Sequence, residues 1–177
     1  MKAPGTLYLS AEKINGINRT LGEKISTDYR ALLADGEELL IVVTLKGALL
    51  FAADLARYIT VPLTIDFVRL ASYGSGTKSS GNVRFLKDLE TSVEGRHVLI
   101  LDEIVDSGRT LEFLLGRIAA DRPKSARVAA LLSKPSRREV EIHVDYLGTE
   151  VEDKFLIGYG LDHGEKYRQL PDIYSLD

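Results

Sequence analysis

The chain has 177 residues, the size of one ordinary domain, and is long enough to bury roughly 70% of the surface its unfolded form exposes. Apolar residues make up 45% and charged residues 28%, a globular balance, and a net charge of −3 leaves no broad basic face for a nucleic-acid backbone. There is no cysteine, which excludes disulfides, a thiol nucleophile and thiolate metal sites, and fits a reducing cytoplasm. The apolar runs fall far short of the ~20 residues that span a bilayer. Met1-Lys2-Ala3-Pro4-Gly5 leads into no apolar run, so no signal peptide is expected. The expectation is a single intracellular domain over residues 1–177, without a membrane or nucleic-acid partner.

From Ser10 onward, Ile14, Ile17, Leu21 and Ile25 recur at helical spacing and predict an amphipathic helix. Leu39–Leu45 is an unbroken apolar run, as in a strand buried on both faces. After Lys46-Gly47, residues 48–57 are good helix formers, and alternation over residues 63–67 predicts a strand. The polar, glycine-rich stretch from Ser72 to Gly81 has too few apolar groups to pack and is expected to be a mobile loop or hairpin tip. Strands are then expected at 83–86, 97–101, 128–132 and 155–159, with a helix at 110–120. Alternating strands and helices imply an α/β fold, a mainly parallel twisted sheet flanked by helices. Ligands of such sheets sit beyond the carboxyl ends of the strands, which directs attention to the segments after Leu45, Leu101, Leu132 and Tyr159.

The segment after Leu101 carries the most chemistry: Asp102-Glu103-Ile104-Val105-Asp106-Ser107-Gly108-Arg109-Thr110, directly before a predicted helix. Ser107, Gly108 and Thr110 offer small side chains, hydroxyls and backbone N–H groups at the positive end of a helix dipole, an anion cradle. Two adjacent carboxylates suit sugar hydroxyls or a magnesium shell, and Asp106 stands at the lip. A helix cap explains one of these residues, not three carboxylates in five positions followed by Ser-Gly-Arg-Thr. No G-x-x-x-x-G-K-[ST] occurs, and the three histidines are too dispersed for a zinc site. Arg137-Arg138-Glu139 reads as a solvated turn.

This nine-residue stretch resembles the phosphoribosyl-pyrophosphate (PRPP) signature of the type I phosphoribosyltransferases. Four further blocks resemble the 6-oxopurine branch, the hypoxanthine–guanine phosphoribosyltransferases. They are Thr44-Leu45-Lys46-Gly47; Ser72-Tyr73 with Lys78-Ser79-Ser80-Gly81; Lys134; and the run from Asp153 to Asp162 that continues to Arg168. The resemblance implies the type I fold, with a small hood built from the terminal segments. It also implies transfer of the phosphoribosyl group of PRPP to hypoxanthine, and to guanine, releasing pyrophosphate. Asp106 is then the general acid/base at purine N7, and Ser107, Gly108, Arg109 and Thr110 hold the 5′-phosphate. Asp102 and Glu103 meet the ribose hydroxyls directly or through Mg²⁺, in the reverse of the family's usual Glu-Asp order. Leu45, Lys46, Gly47 and Arg168 face pyrophosphate, and in the family the Leu–Lys peptide can be cis.

By the same resemblance, Ser72 and Tyr73 open a flexible loop over PRPP. Ile104, Lys134, Phe155 and Leu156 form the purine site, Lys134 donating to the 6-oxo group, and Asp162 serves a second Mg²⁺. His163 and Gly164 depart from the aromatic and Asn usual after that aspartate. The family also implies a cytoplasmic homodimer or homotetramer. Two other readings stand beside this one. One is a xanthine-preferring relative, distinguished at the purine 2-position. The other is a non-catalytic PRPP- or nucleotide-sensing regulator, expected to carry a basic face or to lose base-site residues.

Overall fold

The computed structural model describes residues 5–73 and 82–176. Helix α1 (Ala11–Leu32) is capped by Ser10, whose hydroxyl accepts from the Lys13 N–H, and buries Ile14, Leu21, Ile25 and Tyr29 on one stripe. A six-stranded sheet follows, built from β2 (Leu39–Leu45), β3 (Leu63–Tyr73), β4 (Asn82–Lys87), β5 (His97–Val105), β6 (Ser125–Ser133) and β7 (Tyr146–Glu150). Its order is β4-β3-β2-β5-β6-β7, parallel throughout except where β4 turns back on β3. Helices α2 (Leu49–Ala56) and α3 (Arg109–Ala120) complete the crossovers.

Alternation along each strand decides which layer a residue joins. Ile41, Val43, Leu99, Leu101 and Leu131 pack with the α1 and α2 residues Ile14, Ile25, Phe51 and Leu55. Leu40, Val42, Val98, Ile100 and Val128 pack on the other face with Leu111, Leu114 and Ile118 of α3. Both faces are covered, which is why the central strands read as unbroken apolar runs. No helix among the described residues is long and apolar enough to cross a membrane.

A second, three-stranded antiparallel sheet joins β1 (Thr6–Leu9), β9 (Ile173–Ser175) and β8 (Leu156–Ile157), in that order. It gathers both terminal segments into a hood, as the resemblance implied. The strand expected over 155–159 shrinks to Leu156 and Ile157 and belongs to this small sheet. Residues 158–160 are all left-handed, with φ of 98°, 48° and 96°, and no strand continues through such a turn. A second correction concerns β5. Its ladder with β6 runs on past the apolar stretch to Ile104↔Leu132 and Val105↔Ser133, so Asp102 and Glu103 sit within the strand, not after it. Ser72 and Tyr73 end β3, and the expected loop over 74–81 lies outside the described residues.

Candidate active site

At the carboxyl end of β2 and β5 lies a cavity of about 210 Å³. Thr44, Leu45, Asp102, Glu103, Ile104, Asp106, Ser107, Gly108 and Thr110 are among the residues that line it. The sheet order supplies the reason. The two central strands end side by side, and the chain leaves them in opposite directions, opening a crevice between the loops.

The loop after β5 turns into α3 at Gly108, whose φ is +88°. A Cβ there would also meet the Val140 carbonyl oxygen at 2.7 Å, so conformation and close approach both call for glycine. Segment 138–142 buttresses the loop: the Glu139 and Val140 N–H groups donate to the Ser107 carbonyl at 3.0 and 3.1 Å. Ser107, Gly108 and Thr110 thus surround the start of α3, where the helix dipole favours an anion. Arg109, the first helical residue, is exposed and pairs through Nε with Glu139 at 2.6 Å.

Asp102 and Glu103 are half-buried on the cleft floor. The Thr44 hydroxyl donates to Asp102 Oδ1 at 2.7 Å, and the Glu103 N–H donates to the same oxygen at 3.1 Å. Burial raises the Asp102 carboxyl above its ordinary range, against hydrogen bonds from Glu103 and Thr44. Burial, and then the charge of Asp102, push Glu103 well up, with Arg168 opposing. Gly47 packs directly over Glu103, so closely that a Cβ would overlap its carboxylate. The Leu45–Lys46 peptide is cis. A Cβ at Gly160 would in turn collide with the Gly47 carbonyl, so the 158–160 turn seats the Lys46-Gly47 loop from the hood side.

Arg168 reaches this junction from the hood. Its Nη1 donates to the Gly160 carbonyl at 2.7 Å, and its Nη2 lies 2.8 Å from Asp162 Oδ1. Lys46 Nζ is 2.7 Å from Glu165 Oε2, an oxygen that also faces Arg168 Nη2 at 3.4 Å. The two cations expected at pyrophosphate are therefore neighbours, linked by a glutamate that sequence reasoning passed over. Asp162 has both oxygens engaged, Oδ1 by Arg168 and Oδ2 by the Glu165 N–H.

Lys134 is 8% exposed, where most lysines are solvated. Its Nζ donates to the Lys154 carbonyl at 2.7 Å, one residue before Phe155. Phe155 is 52% exposed and meets the His163 ring edge-on at 5.2 Å, whereas Leu156 is buried in the β8–β9 pairing. Ile104 lines the cleft.

The turn at Arg137-Arg138-Glu139 is exposed at Arg137 and Glu139, as expected, and it also makes ion pairs and hydrogen bonds to the site that the sequence did not suggest. Arg137 Nε stands 2.8 Å from Asp106 Oδ1, Arg138 Nη2 donates to the Ser133 hydroxyl at 2.7 Å, and Glu139 holds Arg109. Opposite charges across the fold recruit a segment whose composition alone reads as exposed. Thr44 was also passed over as a site group. Its signal was a hydroxyl near the end of an otherwise apolar strand.

Comparisons with known proteins identify the family. The phosphoribosyl transferase domain family matches residues 8–163. The hypoxanthine-guanine phosphoribosyltransferase of Mycobacterium tuberculosis is 46% identical over 173 residues, 97% of this chain and 86% of that protein. That of Bacillus subtilis is 44% identical over 167 residues, 94% and 90% of the two chains. Among solved structures, the hypoxanthine phosphoribosyltransferase of Trypanosoma cruzi in complex with its product IMP superposes with a TM-score of 0.91. It is 35% identical, and the match covers 100% of this chain and 96% of that one. A hypoxanthine-guanine phosphoribosyltransferase of Bacillus anthracis gives 0.90 at 38% identity, over 99% and 100% of the chains. The chain belongs to the phosphoribosyl transferase family, in its hypoxanthine-guanine branch.

Proposed function

We propose that this cleft transfers the phosphoribosyl group of PRPP to N9 of hypoxanthine, and of guanine, forming IMP or GMP and releasing pyrophosphate. One observation carries the reading: the buried Lys134 follows β6 beside the end of β5, its backbone N–H donating to the Val105 carbonyl at 2.9 Å, next to the Asp106 loop that lines the crevice at the carboxyl end of the sheet. Lys134 has only hydrogens to offer, so it accepts a 6-oxo purine and rejects a 6-amino one. Asp106 takes or returns the purine proton and faces positive charge developing on the ribosyl carbon. Ser107, Gly108 and Thr110 bind the 5′-phosphate at the start of α3, with Arg109 beside them. Lys46, Gly47 and Arg168 orient pyrophosphate as it leaves, and Phe155 and Ile104 flank the base.

Asp102 and Glu103 meet the ribose hydroxyls. They also fit Mg²⁺: two hard oxygen ligands side by side, each disfavoured as an anion by burial, form a pair that a dication relieves. When bound there, Mg²⁺ would neutralise charge on the pyrophosphate group. Asp162, with both oxygens engaged within the protein, gives weaker support for a second ion. A cytoplasmic homo-oligomer completes the reading.

The test offers PRPP and Mg²⁺ with hypoxanthine, guanine, xanthine and adenine in separate assays of the purified chain. Turnover of hypoxanthine and guanine but not adenine supports the proposal. Preferential turnover of xanthine replaces it with the xanthine reading, and PRPP binding without turnover of any base replaces it with a regulator.

A further inference from the structure

Asp106 and Lys134 come from different strand ends, yet N7 and the 6-oxo oxygen, which they are proposed to meet, lie on one edge of a 6-oxopurine. Something must hold the two side chains in register. Lys134 leads directly into a 3₁₀ turn, Pro135–Arg137, in which the Arg137 N–H donates to the Lys134 carbonyl at 3.1 Å. The proline fixes the first residue of that turn. Its last residue, Arg137, directs its guanidinium to Asp106, Nε to Oδ1 at 2.8 Å. The same guanidinium reaches Asp153 Oδ1 through Nη1 at 3.5 Å, and that oxygen lies 3.8 Å from Lys134 Nζ. The result is a row of alternating charges, Asp106–Arg137–Asp153–Lys134, running from the proposed acid/base to the proposed base selector.

We infer that Arg137 is a positioning residue for the transfer reaction, holding Asp106 by one oxygen so that the other faces the purine, in register with Lys134. Asp106 Oδ1 is shut off from solvent and makes no well-formed hydrogen bond among the described residues, so the nearby guanidinium is what compensates its charge. A carboxylate gripped on one side keeps one orientation, and catalysis at N7 depends on that orientation. The inference rests on the proposed role of Asp106. Arg137 itself is about half exposed, so an ordinary surface pair, worth little to stability, is the alternative that the experiment must exclude.

The experiment measures kcat and KM for hypoxanthine and for PRPP, with melting temperatures, for wild type, R137M, R137K, R137A and D106N. R137M keeps much of the length and apolar stem and removes the charge. Its kcat/KM for hypoxanthine should fall roughly tenfold or more, with KM for PRPP and the melting temperature unchanged. R137K should recover part of the loss, and millimolar guanidinium should restore part of the activity of R137A, which a purely structural role would not allow. Wild-type kinetics in R137M overturn the inference, as does a loss carried by a raised KM for PRPP with kcat unchanged. An inactive wild type would instead refute the proposed function, and a fully active D106N the role of Asp106; either takes the inference down with it.

Discussion

Replacing Gly47 with alanine should separate catalysis from stability. The Gly47 backbone needs no positive φ, so the alanine backbone fits. The new methyl would overlap the Glu103 carboxylate. That carboxylate is the far end of a flexible side chain, and it swings aside at a cost to folding of about 0.5 kcal/mol or less. For a chain of this size 1 kcal/mol corresponds to roughly 2–4 °C, so the melting temperature should move by no more than about 2 °C. Activity should not be spared. Glu103 lines the cleft beside Asp102, and displacing a positioning group by about 1 Å costs on the order of 100-fold, equivalent to about 2.7 kcal/mol of transition-state stabilisation. The assay is kcat/KM for PRPP in IMP synthesis, run beside a thermal melt. Wild-type kcat/KM in Gly47→Ala would refute the reasoning, and so would a loss fully explained by unfolding.

Gly160→Ala should show the converse. Its Cβ meets the Gly47 backbone carbonyl at a φ of +96°, where no side chain can yield, so about 1–3 kcal/mol of stability and several degrees of melting temperature should go; an unchanged melt would contradict this. Lys134→Met should cut kcat/KM for hypoxanthine by roughly tenfold or more and erode discrimination against adenine, as competition between the two bases would show. Tyr159→Phe removes a buried hydroxyl that accepts from Asn18 Nδ2 at 2.8 Å and donates to Asp54 at 2.7 Å. It should cost about 1–3 kcal/mol in denaturant unfolding. Burial raises Tyr29, Tyr159 and Tyr146, the last to about 12. Above pH 10 these phenols ionise in the unfolded chain while the fold keeps them neutral, so the unfolded state binds fewer protons and stability falls as pH rises. The stabilisation is present in full below pH 10 and is lost by about 1.4 kcal/mol per pH unit for each tyrosine above it, visible as alkaline unfolding between about 10 and 12. A flat unfolding free energy across that range would contradict it.

The site was legible where its chemistry is consecutive in sequence. Residues 102–110 sit together because one strand end and one helix start place them there, and the apolar runs of β2, β5 and β6 read as buried strands because both their faces are covered. What was hidden depends on partners far along the chain. β7 is an edge strand in which only Tyr146 is fully buried, so it lacks an apolar run. β1 and β9 are three or four residues long and pair with each other across most of the sequence. Residues 155–159 have strand composition, and only the flanking glycines hinted at the left-handed turn that ends the strand. Arg137 is half exposed, but its ion pair was hidden because its acid, Asp106, lies in another loop.

The central claim is that the crevice between the β2 and β5 loops binds one nucleotide, with its base against Lys134 and its phosphate at the start of α3. A crystal structure of the chain with IMP tests it most directly. The account predicts the 5′-phosphate among Ser107, Gly108 and Thr110, the Asp106 carboxylate at N7, and Lys134 Nζ within about 3.2 Å of the 6-oxo oxygen. IMP bound with its base away from Lys134, or its phosphate away from the α3 N-terminus, would contradict the account.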